Sequence, residues 1–240
     1  MMRIVKLLGV GAAVVVLVAA ASSHAQQPSS VNEQFDTVPQ WAQQCSVPGQ
    51  VAINPSTLGN PVSDPIFGVS VLEVFVGPPN ILWYCGPSDS YTNFDATIKA
   101  RKSAGPAAGG TLAVVYGIVF RAQGSVFYWF AVSTAGYYGL FKFPAPGPRP
   151  MGTLSHPGVE IIPWTWDFDV NQGTSFNELK IEVRGQTAKL FINTVEKRTA
   201  FLLADGPAFG QVALGIGTFE LFPWAAVTVN FDYLTITPQP

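Results

Sequence analysis

Apolar and polar residues alternate with a period of two along much of this chain. The clearest case is residues 92–101, where Phe94, Ala96, Ile98 and Ala100 fall on one side. Asn93, Asp95, Thr97, Lys99 and Arg101 fall on the other. Such a pattern predicts a strand with one buried and one solvated face. Residues 179–184 repeat it, with Leu179, Ile181 and Val183 set against Lys180, Glu182 and Arg184. Gly185-Gln186 then supplies a two-residue turn, and 188–193 returns as the hairpin partner. Runs at 31–38 (anchored by Phe35), 67–76, 81–85, 210–218 and 226–236 predict further strands. Gly77-Pro78-Pro79-Asn80 separates the second and third of these as a turn. Residues 39–66 are rich in turn formers and predict loop with short strands, 144–163 predict mostly loop, and a short strand is expected at 164–170. Helix-period stretches are nearly absent, so the predicted class is all-β.

Residues 111–143 form the centre of this pattern. Three β-rich runs are separated by Gln123-Gly124-Ser125 and by 133–136, predicting an antiparallel meander. A three-residue first loop pairs Ala122 with Val126, Arg121 with Phe127 and Val119 with Trp129. A four-residue second loop pairs Ala131 with Tyr138 and Trp129 with Leu140. One face then carries Arg121, Phe127, Trp129, Tyr138 and Lys142. The other carries Ile118, Phe120, Tyr128, Phe130, Val132, Tyr137 and Phe141, and has no charge. A one-residue slip would exchange side chains between faces.

The N-terminus changes the compartment. Arg3 and Lys6 precede an apolar run over 7–21, and Ser23-His24-Ala25 places small residues at −3 and −1 of a cleavage site. This predicts a signal peptide over 1–25, secretion or periplasmic location, and a single domain over 26–240. The run is short for a membrane span, so no membrane association is expected after cleavage. Loss of Arg3 and Lys6 takes the net charge from −2 to −4, which argues against nucleic acid or anionic membrane as partner. Cys45 and Cys85 are the two cysteines, and an oxidising compartment predicts that they pair.

The segments YGIVFRAQ (116–123), FYWFAVSTAGYYGL (127–140), NELKIEVRGQTAKLFIN (177–193), GQVALGIGT (210–218) and VNFDYLTI (229–236) carry a resemblance. Their order resembles the concanavalin A-like lectin/glucanase superfamily, and within it bacterial secreted 3-keto-disaccharide hydrolase-like and laminin-G-like domains. The resemblance implies a jelly-roll β-sandwich of two antiparallel sheets, one of them curved and partly open. That fold hosts lectins, hydrolases and spacers alike. The acid-x-acid-x-x-acid strand motif of laminarinase-type members is missing, and the N-terminal third does not match.

Candidate chemistry is sparse. After signal removal His156 is the single histidine, in a proline-rich loop without a nucleophile-elbow motif. A zinc ligand set is missing, so neither metal nor cofactor is expected. Asp167, Asp169, Asn171, Ser175 and Glu178 have calcium-loop spacing, but Gln172 stands where glycine is needed. Glycoside hydrolysis would need two carboxylates, and Asp95 is the best single candidate. Aromatic rings beside hydrogen-bond donors suit sugars. The expected carbohydrate-binding residues are therefore Arg121, Trp129, Tyr138 and Lys142, with Asp95. The reading is a non-catalytic carbohydrate-binding domain of unstated oligomeric state. A glycoside hydrolase and a structural or protein-interaction domain remain as alternatives.

Overall fold

The computed structural model describes residues 28–45, 51–58, 69–76, 82–103, 114–124, 126–143, 159–217 and 227–240. The expected signal segment, the turn at 77–80 and His156 lie outside these. Fourteen strands and one short helix are described. In chain order they are β1 (Val31–Glu33), α1 (Gln40–Gln43), β2 (Val51–Leu58), β3 (Val69–Val76), β4 (Leu82–Cys85) and β5 (Phe94–Lys102). The meander follows as β6 (Val115–Gln123), β7 (Val126–Ser133) and β8 (Tyr137–Phe143). Then come β9 (Val159–Trp166), β10 (Asn177–Arg184), β11 (Thr187–Ile192), β12 (Val195–Phe201), β13 (Gln211–Gly217) and β14 (Val227–Pro238).

Two antiparallel sheets result. The eight-stranded sheet runs β12-β11-β10-β5-β14-β3-β2, and β1 pairs with the far half of β14. The six-stranded sheet runs β4-β13-β6-β7-β8-β9. Proline cannot donate to a ladder, and Pro55 and Pro163 both lie on edge strands, β2 and β9. The remaining edge of the larger sheet, β12, carries Glu196, Lys197 and Arg198, charges that discourage a further strand from pairing.

The alternation over 92–101 is realised. Phe94, Ala96, Ile98 and Ala100 are buried in the core between the sheets. Lys99, Asp95, Lys180 and Glu182 stand on the solvated face, where Lys99 pairs with Asp232 at 2.7 Å. Lys180 pairs with Glu182 at 2.6 Å, and Arg184 with Asp95 at 2.8 Å. Tyr116, Ile118, Phe120, Tyr128, Phe130, Leu140 and Leu214 supply the facing half of the core. The Cys45–Cys85 disulfide forms as expected.

Several expectations are corrected. The runs at 67–76 and 81–85 do hold strands, but in different sheets: β3 enters the larger and β4 the smaller. The chain changes sheets there, which local pattern does not encode. The first strand stops at Glu33, because Phe35 takes a left-handed backbone (φ 55) to turn its ring inward. Residues 159–163, expected as loop, begin β9, and β12 was not predicted because its charged run shows no apolar alternation.

The first meander hairpin keeps the expected Val119–Trp129 pair. Closer to the turn a bulge at Arg121 (φ 51) intervenes, and Gln123 rather than Ala122 takes Val126. The second hairpin is shifted by one. Val132 faces Tyr138, and Trp129 faces Phe141. Its turn is closed by Gly136 N–H donating to the Ser133 carbonyl at 3.1 Å, with Gly136 left-handed (φ 89). That leaves Tyr137 outside the β7 ladder, so every side chain of β8 moves to the face opposite the one expected.

Candidate functional site

The shift dismantles the expected binding face. Phe127 and Trp129 lie on the outer side of the six-stranded sheet, away from the main core. Tyr138 belongs to the core between the sheets. Lys142 sits opposite Tyr128 and is 7% exposed, and its ammonium reaches Asp205 at 2.5 Å. The hydrogen bond from Lys142, aided by its charge, holds the Asp205 carboxyl below its usual pKa. The Arg121 guanidinium turns inward and donates to the carbonyls of Thr92 (2.9 Å) and Gly185 (2.5 Å). Burial lowers its pKa. Asp95 is on the outer face of the other sheet, paired with Arg184 and receiving a bond from Gln239. These five residues are not brought together, and Trp129, at 0% exposure, is not an open platform.

What the sheet builds instead is an aromatic layer. On its outer face Phe127 stacks on Phe143 with centroids 4.8 Å apart, and Tyr84 lies 5.1 Å from Phe127. Trp129 meets Phe143 edge-on at 6.0 Å, and Phe141 packs on Trp164 at 4.9 Å. Small residues beneath make room. A Cβ on Gly139 would lie 2.3 Å from the Phe141 ring, and one on Gly215 would lie 2.8 Å from the Trp129 indole nitrogen. The centre of the layer is buried and acts as a second core. At ~25 cal/mol per Å² each fully buried ring contributes roughly 4–6 kcal/mol before the entropy of ordering it.

The layer reaches solvent at the β9 edge. Trp166 pairs across the ladder with Tyr137, so both side chains share the outer face. Trp166 is 55% exposed, and Phe168, two residues on, is 78% exposed. A methyl placed on Gly136 would fall 3.0 Å from the Gln172 amide nitrogen and 3.3 Å from the Trp166 indole nitrogen. Gln172 and Trp166, both exposed, thus flank buried Gly136 from the solvent side of the turn.

The segment carrying these rings is pinned. Asp167 N–H donates to the Gly136 carbonyl at 2.9 Å, and Gly173 N–H to the Thr134 carbonyl at 3.0 Å. Lys197 donates to Asp167 at 2.9 Å and also to Asp169, and its ammonium lies 5.8 Å from the Phe168 ring centroid. Fully buried Asn177 ties the segment to the core. It accepts from Asn171 N–H at 2.7 Å and donates to the Tyr116 hydroxyl at 2.8 Å. Asn193 Nδ2 adds a bond to the Asp169 carbonyl at 2.7 Å.

This arrangement also disposes of the calcium spacing. The carboxylates of Asp167 and Asp169 hold Lys197, the Asn171 side chain caps Phe176, and Glu178 accepts from Tyr233. The five residues do not converge, and among the described residues no group of three metal-ligating side chains occurs. Sequence reasoning assigned Trp166 and Phe168 to an ordinary strand. The available signal was the run Trp164-x-Trp166-x-Phe168 interleaved with Thr165 and Asp167 just before an Asn-Gln-Gly turn.

No protein-family model matches the chain, and no curated protein matches it in sequence. Solved structures are similar in fold. A carbohydrate-binding module (CBM66) from Bacillus subtilis superposes with a TM-score of 0.51 at 16% identity, over 78% of this chain and 94% of that one. A glycoside hydrolase family 16 endo-glucanase from Bacteroides ovatus superposes with a TM-score of 0.53 at 9% identity, over 86% of this chain and 99% of that one. Two antiparallel sheets in this order, with a core between them and an aromatic layer outside, make the fold a concanavalin A-like jelly-roll sandwich.

Proposed function

We propose that this chain is an exported, non-catalytic carbohydrate-binding sandwich that holds sugar on the β9 rim, at Trp166 and Phe168. The observation that carries the reading is the exposure of these two rings on a pinned segment. Burial normally claims such side chains, and nothing in the core requires either to be aromatic. A sugar ring presents C–H groups to an aromatic face while its hydroxyls take polar partners, for which exposed Gln172 stands near Trp166. The carbohydrate-binding module of similar fold supports this reading without locating the site.

The non-catalytic part rests on the acids. Hydrolysis of a glycosidic bond takes two carboxylates roughly 5–9.5 Å apart. Among the described residues, the six strands of the aromatic sheet carry one, Glu160, and at the rim Asp167 and Asp169 are both taken up by the Lys197 ammonium. Export is supported by the N-terminal signal pattern and by the disulfide. Among the described residues no helix is long and apolar enough to cross a membrane.

A glycan array with the mature chain, followed by titration of Trp166→Ala and Phe168→Ala, tests the reading. Each variant should weaken binding about tenfold or more, equivalent to about 1.4 kcal/mol, at unchanged melting temperature. Full binding by the double variant would reject the rim as the site. Release of reducing sugar from the bound glycan would reject the non-catalytic assignment.

A further inference from the structure

The opposite edge of the same sheet holds a concavity. A cleft of about 600 Å³ lies between α1, the end of β4 and the start of β13. Its walls are Trp41 and Tyr84, with Gln40, Gln44, Ser88 and Gln211 around them. The Cys45–Cys85 disulfide forms part of the lining. This size falls within the usual range for small-molecule sites, about 300–1,000 Å³. Because β4 and β9 are the two edges of the sheet, the cleft is separated from the Trp166 rim by the sheet's full width.

The lining has a definite chemistry. It contains no charged side chain, so nothing in it favours an anion or a cation. Each glutamine amide offers donors and acceptors together, and the serine hydroxyl does the same. A sugar hydroxyl is likewise both donor and acceptor. The Tyr84 hydroxyl is already committed to the Gly124 carbonyl at 2.6 Å, which fixes the ring while leaving its surface as cleft wall. We infer that this cleft is a second carbohydrate subsite, selective for neutral sugar residues, and that the disulfide holds it open.

The disulfide's role follows from what attaches α1. That helix has four residues, too few to persist alone. It is held by the covalent link to β4, by Trp83 Nε1 donating to the Cys45 carbonyl at 3.3 Å, and by burial of Ala42 and Phe35. Cleaving the link frees the wall bearing Gln40, Trp41 and Gln44, whereas the rim around Trp166 uses none of these residues. The subsite is thus redox-dependent and the rim is not. The inference rests on the carbohydrate reading above and deepens it.

The test uses the isotope-labelled mature chain carrying both Trp166→Ala and Phe168→Ala, which removes both rings of the rim. Cello-, laminari-, xylo-, manno- and fructo-oligosaccharides are titrated as neutral probes, with oligogalacturonate as the anionic control. The side-chain amide resonances of Gln40, Gln44 and Gln211 should shift with at least one neutral probe and not with the anionic one. Gln44→Ala, an exposed position that cannot unfold the domain, should weaken that response about tenfold. Reduction with dithiothreitol should abolish it. Silence of these amides toward every neutral probe, an equal response to oligogalacturonate, or an undiminished response after reduction would each overturn the subsite. In the wild-type chain, failure of the rim reading shows separately, as a Trp166 indole resonance that no probe moves.

Discussion

Arg121 lies on the smaller sheet and Gly185 in a turn of the larger one, yet the Arg121 guanidinium donates to the Gly185 carbonyl at 2.5 Å. The same group donates to Thr92 at 2.9 Å, so one cation ties the meander to the β10–β11 turn and to the entry of β5. A bulge on β6 makes this possible by turning Arg121 inward. Charge-assisted bonds to buried carbonyls contribute about 1.5–3 kcal/mol each, and a removed donor leaves its acceptors unpaired. Arg121→Ala should therefore cost roughly 2–4 kcal/mol in urea denaturation, with sugar affinity unchanged. A variant as stable as the parent would show that water serves those carbonyls equally well.

Trp129→Ala and Trp166→Ala should separate structure from binding. The buried indole lies at the centre of the outer aromatic layer, so its truncation should cost about 3–5 kcal/mol. Truncating the exposed Trp166 should leave the melting temperature within error and weaken binding at the rim about tenfold. Were Trp129→Ala to melt like wild type, the layer would not be a core.

The Lys197 site gives stability a pH dependence. Burial acts to lower its pKa, but the hydrogen bonds it donates to Asp169 and Asp167 outweigh burial and raise it above the usual 10.5. A lysine raised in the folded state contributes stability that is complete below its unfolded pKa and lost as pH rises through the folded one. Melting temperature should thus fall more steeply above pH 10.5 in wild type than in Lys197→Gln. Parallel alkaline profiles for the two proteins would show that Lys197 is not coupled to folding.

Reduction of Cys45–Cys85 opens a 40-residue separation in the chain. The chain-entropy relation puts the lost stability near 4 kcal/mol. Cys45→Ser should melt at the temperature of the reduced wild type, because both lack the same constraint. Free thiols in protein isolated under oxidising conditions would contradict the pairing.

Export predicts an N-terminus at Gln26, following Ser23-His24-Ala25. Intact-mass measurement of the chain from a periplasmic or culture fraction checks it. A full-length mass there would contradict cleavage at that site.

Local alternation was sufficient where one residue pattern had one solution. β5 and the β10–β11 hairpin, with Gly185-Gln186 between them, were legible because a strand with one wet face must place its apolar set inward. The disulfide was legible from two cysteines and an N-terminal pattern that predicts export. The concanavalin A-like class was legible from the order of the strands. Which side chains share a face of the meander was not, because faces depend on register, and register depended on turns whose closure is tertiary. Gly136 in a left-handed turn, held beside Asp167 and Gly173, moved β8 by one residue and sent Tyr138 and Lys142 inward. The bulge at Arg121 likewise aimed that side chain at carbonyls of the opposite sheet, a partner no neighbouring residue announces. Exposure was decided last of all. Trp129 and Trp166 look alike in sequence, but one has aromatic neighbours on the layer around it and the other stands at a sheet edge.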